Sequence, residues 1–188
     1  CVAAGNRETD RAATQRMPSH LANRFVHINY DVHLDDWVTW ALENGEDPSV
    51  IAFLSFRPDL LHKFDPAQKA FPTPRSWHFV SKIMKQGGID NGCFMETIAG
   101  TVGEGAATEF TGFFRVFRSL PDFDEIIHKP AVAPVPDNAA ALYAVSTLLA
   151  TRGTAKVAKP VFEYLERLPK DFQVLTYRNI TKGNLDVA

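Results

Sequence analysis

The chain has 188 residues, 45% of them hydrophobic and 22% charged, with a formal net charge of -2 at pH 7. That length and apolar content suit one domain or two small ones with a real core, and the near-neutral balance lacks the basic surplus of a dedicated nucleic-acid binder. No apolar run approaches the roughly 18 residues that span a bilayer, and two cysteines, Cys1 and Cys93, supply neither a disulfide framework nor a cysteine-rich zinc site. The expectation is a cytoplasmic protein without a membrane partner.

The chain opens on a short apolar run, Cys1 to Ala4, that halts at Gly5-Asn6. Such a run reads as the end of a buried strand with a loop at its carboxyl end. Phe25 to Tyr30 alternates β-branched and aromatic residues with polar ones and predicts a second strand. Two strands alone make a poor sheet, so these look like the back end of a larger α/β domain. A short hairpin appended to a helical domain is the alternative.

From Tyr30 onward the pattern is helical. Asp35 is the expected N-cap of a helix reaching Asn44, with Trp37, Trp40 and Ala41 on one face and Gly45 as the stop. Pro48 suits the first position of a helix to Phe56, ended by Arg57-Pro58. Thr73 and Pro74 open another, with Trp77, Val80, Ser81 and Met84 at helical spacing before Gly87-Gly88. A longer helix is expected from about Gly105 to Leu120, presenting Phe110, Phe113, Phe114 and Phe117, and a short segment then reaches His128.

Lys129 to Pro136 carries Pro130, Pro134 and Pro136, which forbid a continuous helix and favour an extended linker. Asp137 is the expected cap of an alanine-rich helix to about Thr151. Two further helices should end near Leu168 and Ile180, separated by Pro169.

Local chemistry is sparse. Gly100, Gly103 and Gly105 suggest a phosphate loop, but no Gly-Lys-Ser/Thr follows and no strand precedes them, so they are expected to end one helix and start the next. His20, His27, His33, His62, His78 and His128 show no i, i+4 pairing, and no metal site is expected. Cys93 has no nucleophile signature, and no Gly-x-Ser-x-Gly elbow occurs.

The order of the motifs says more than any one of them. Ala3-Ala4-Gly5-Asn6-Arg7-Glu8, Arg16-Met17-Pro18, Leu21-Ala22-Asn23-Arg24-Phe25 and Pro72-Thr73-Pro74-Arg75-Ser76-Trp77 succeed one another over roughly the first 130 residues. In this order they resemble the AAA+ ATPases, and within them the MoxR-like group. The resemblance implies a mainly α chain in three parts. Residues 1–33 would be the remnant of an α/β nucleotide domain, 34–130 a helical lid, and 131–188 a linker with a C-terminal helical segment.

It also implies roles. Asn6 falls in the sensor 1 slot, where a carboxamide orients the attacking water. Arg24 corresponds to the arginine finger that faces the neighbouring subunit's ATP, with Arg16 as the competing candidate; Asn23 stands where the family usually carries an acid. Arg75 matches sensor 2, an arginine at the start of a lid helix, where exposed amides and the helix dipole favour anions.

The phosphate loop and the acidic pair that holds magnesium precede sensor 1 in this family, and neither occurs in this sequence. ATP and Mg are therefore expected cofactors of an intact parent, while no cofactor and no activity are expected of this chain alone. Ring self-assembly and a remodelled protein substrate are the implied partners. A stand-alone helical interaction module without nucleotide chemistry is the competing expectation.

Overall fold

The computed structural model of the chain describes residues 2–5, 17–87 and 92–183. The helices are α1 (Ser19–Ala22), α2 (Leu34–Glu43), α3 (Pro48–Phe56), α4 (Pro74–Lys85), α5 (Phe94–Val102), α6 (Glu104–Arg118), α7 (Phe123–His128), α8 (Ala139–Arg152), α9 (Ala158–Leu165) and α10 (Lys170–Gly183). The chain is mainly α, and no strand forms among the described residues.

The two expected strands are therefore corrections. Residues 2–5 have no regular structure, and Cys1 lies outside the described residues. From Val26 to Tyr30 the backbone is also irregular, with Val26 89%, Ile28 82% and Tyr30 86% exposed. Alternation makes a strand only when a neighbouring strand takes up its amides and carbonyls. Here none does.

The helical starts show how local chemistry sets the elements. Asp47 caps α3, its carboxylate accepting from the Ser49 amide at 2.9 Å, with Pro48 in the first helical position. Thr73 and Ser76 form a reciprocal capping box at the start of α4. The N-cap of α2 is His33 rather than Asp35, which sits with Asp36 in the first turn, where acids oppose the helix dipole. Gly103 separates α5 from α6 with φ +85°, and an added Cβ would meet the Ala70 carbonyl at 2.8 Å. The glycines of 100–105 thus serve helix ends, as the missing lysine implied.

The main core forms around α3, which is buried from Ser49 through Leu54. Phe53 packs against Trp77, Phe110 and Phe113 at centroid distances of 5.3, 5.3 and 5.5 Å. Trp77 is fully buried and its indole N–H donates to the Leu60 carbonyl at 2.7 Å. Trp40 departs from the expected apolar face of α2. It is 39% exposed and lies edge-on to His78, 5.4 Å between centroids.

Beyond the linker the chain returns to this core. α8 packs along α3 and touches α6, and α10 packs against α8 and α2. The cap of α8 is Asn138, accepting from the Ala141 amide at 2.9 Å, one residue later than expected. A second cluster joins Phe123, Ile126, Ala133, Leu142, Val145, Leu149, Val161, Tyr164 and Leu165. At the outer surface Asp35 meets Arg178 at 3.2 Å and Lys182 at 3.7 Å, tying α10 to the start of α2. Among the described residues no helix is long and apolar enough to cross a membrane.

Candidate functional site

Arg75 is the second residue of α4, and the sequence around it explains its position. Pro74 needs no amide partner at the first helical position, and the Thr73 hydroxyl accepts from the Ser76 amide at 3.0 Å. One residue earlier, the Lys63 amide donates to the Pro72 carbonyl at 3.0 Å, fixing the entry to the helix. Trp77 and Val80 anchor the opposite face in the core. Arg75 therefore projects from a rigid, capped helix start, exposed and without an ion pair or side-chain hydrogen bond among the described residues. Electrostatically this is an anion-favouring place, a guanidinium beside the positive end of a twelve-residue helix.

Arg24 lies in the turn after α1, where its amide donates to the Leu21 carbonyl at 3.0 Å. It too is exposed and without a side-chain partner among the described residues. Asn6 and Arg16 lie outside the described residues.

A half-buried arginine is committed to structure. Arg57, just past α3, donates Nε and Nη2 to Asp59 at 3.0 and 2.9 Å and also pairs with Glu109 of α6. The hydrogen bonds from Arg57 hold the Asp59 carboxyl below its usual range and raise the guanidinium in turn. This group closes the surface between α3 and α6 and leaves no free cation.

Sequence reasoning missed one feature. Glu46, in the connection between α2 and α3, is 5% exposed, and its Oε1 lies 2.9 Å from Nδ1 of His78 on α4. The partners are 32 residues apart, so no local spacing announces them. The only signal is a glutamate trapped between a helix-ending glycine and the Asp47-Pro48 helix start. Among the described residues no group of three metal-ligating side chains occurs.

No family model matches this chain, and neither a curated protein nor a solved structure matches it.

Proposed function

We propose that this chain is the carboxyl-terminal part of a MoxR-like AAA+ ATPase, one that assembles as a cytoplasmic ring and couples ATP hydrolysis to remodelling of a partner protein. The observation that carries the reading is the ordered run of motifs ending at Arg75, an unpaired arginine on the first turn of a capped helix. In this reading the helices of residues 34–130 are the lid, and Arg75 is the sensor 2 contact that gives ATP a differential hold on the closed state. Arg24 is the finger, presented to the ATP of a neighbouring subunit, where a permanently charged planar group spreads over developing phosphate charge. Asn6 positions the attacking water, and Arg16 is the alternative finger. Magnesium and the phosphate cradle come from residues outside this chain.

Two experiments test it. The coding sequence upstream of Cys1 should encode a glycine-lysine phosphate loop and an acidic magnesium-holding strand; a reading frame opening near Cys1 rejects the proposal. In the ATPase carrying this chain, Arg24→Ala should lower turnover by about 10³–10⁵ with nucleotide affinity unchanged. Subunits that lack the phosphate-loop lysine but retain Arg24 should then rescue the Arg24→Ala subunits. Normal turnover of Arg24→Ala would transfer the role to Arg16.

A stand-alone interaction module is favoured by one feature, the exposed aromatic face of Trp40 and Phe79 on either side of His78. An upstream reading frame without nucleotide motifs would make that the better account.

A further inference from the structure

Helix α10 inverts part of the usual amphipathic pattern. Its fully buried side chains, Thr176 and Asn179, are polar, while Val174 is 67% and Tyr177 44% exposed. The inward stripe runs Phe172, Thr176, Asn179 and Gly183, the i, i+4, i+7 and i+11 positions of one helix face. It meets the stripe Tyr143, Ser146 and Ala150 of α8 at both ends. The rings of Phe172 and Tyr143 lie 5.1 Å apart, and Gly183 lines the same cleft as Ala150. Helical spacing thus puts Asn179 and Ser146 between these ends, inside the interface.

No hydrogen bond crosses from α8 to α10 among the described residues. The Thr147 and Thr151 hydroxyls donate to the Tyr143 and Thr147 carbonyls of their own helix, at 3.0 and 2.9 Å. Thr176 likewise donates within α10, to the Phe172 carbonyl at 2.7 Å. Ser146 Oγ and both polar atoms of the Asn179 amide are buried with no partner among the described residues. Docking strips their hydration and supplies no hydrogen bond in its place, so these groups oppose it. On the side of α2, Asp35 meets Arg178 and Lys182, and ion pairs as exposed as these add little. Phe172, Leu175 and Ile180, all half-buried, supply the apolar hold.

We propose that α10 is a detachable strap, which lifts from α2 and α8 as one unit while α3, α6 and α8 stay folded. Lifting hydrates Asn179 and Ser146 and uncovers the Tyr143-Ser146-Ala150 stripe. A free helix of 14 residues is marginal in water, so the lifted strap also loses its own helical hydrogen bonds. The strap is independent of the ATPase reading and is tested on the chain by itself.

Native-state hydrogen exchange on the full 188-residue chain reads the opening amide by amide. The amides from Val174 to Lys182 should share one opening frequency, at least about tenfold above that of α3 and α8. Asn179→Leu removes the unpartnered amide and should lower that frequency about ten- to a hundredfold. Ser146→Ala, which only deletes an atom and so cannot crowd the interface, should lower it about fivefold. A frequency equal to that of α3 and α8 overturns the proposal. So does a gradient rising steadily toward Lys182, which is fraying from the end, or an unchanged or higher frequency in both variants.

Discussion

Two connecting segments of similar length meet opposite fates in this molecule, and the second is not the extended linker its prolines suggest, because the Val132 and Ala133 amides close a turn on the Lys129 carbonyl. Phe25 to Tyr30 has the alternation of a strand, yet Val26, Ile28 and Tyr30 stand in solvent. Lys129 to Pro136 has the prolines of a flexible linker, yet it is fastened. The Tyr164 hydroxyl donates to the Pro134 carbonyl at 2.6 Å, and Arg167 Nη1 donates to the carbonyls of Pro130 at 2.6 Å and Ala133 at 2.8 Å. Ala133 is buried as a result. Backbone outside helices is ordered by whatever satisfies its polar groups, and residue pattern alone does not supply that. In the linker, side chains from α9 and the turn after it take the place of a second strand.

The largest expected effect comes from removing the fastening. Tyr164→Ala deletes a fully buried ring along with the hydrogen bond, and should cost about 3–5 kcal/mol in urea unfolding. A loss below about 1 kcal/mol would mean the linker is held by something else.

The same tyrosine makes stability depend on pH at the alkaline end. Burial pushes its hydroxyl up to about 12, only partly opposed by the nearby Arg167 charge. An acid whose pKa is raised on folding keeps its proton longer when folded than when unfolded. Its contribution is therefore complete below pH 10 and disappears as pH rises from about 10 to 12, amounting to about 2–3 kcal/mol. Tyr164→Phe should flatten that decline, and ultraviolet titration should find one tyrosine ionising late.

The smallest effect belongs to the exposed segment. Val26→Ser combined with Ile28→Ser should change the stability of this chain by less than about 0.5 kcal/mol, because neither side chain is packed. A loss of 1 kcal/mol or more would show that the segment is buried after all and would erase the contrast with the linker.

Much of the helical body was legible because its signals are local. Pro48, Thr73-Pro74 and the glycine at 103 each act within a turn of themselves, and the structure uses all three. Trp77, Phe110 and Phe113 were readable as core from helical spacing. What escaped depends on distant residues. The Phe25 to Tyr30 alternation is the same whether or not a neighbouring strand exists. Trp40 follows the apolar spacing of α2 but lies against His78 at the surface. The Glu46–His78 pair joins the connection after α2 to the side of α4, which only the packing of α2, α3 and α4 brings together. Asp35 and Asp137 are both sound caps by type, and the helices start from His33 and Asn138 instead. Of the candidate site, the helix start that carries Arg75 was readable from Thr73-Pro74, whereas the Ser76 half of its capping box was not.

Arg75 offers the most direct test of the central claim. It lies outside the core, so Arg75→Ala should leave the helical fold and its unfolding midpoint unchanged. ATP affinity should be measured by calorimetry on the ATPase that carries this chain, wild type against Arg75→Ala. The account predicts a loss of about ten- to a hundredfold, the value of one charged hydrogen bond to phosphate. Unchanged affinity and unchanged closure in the variant would contradict it, and would leave these helices as an interaction module.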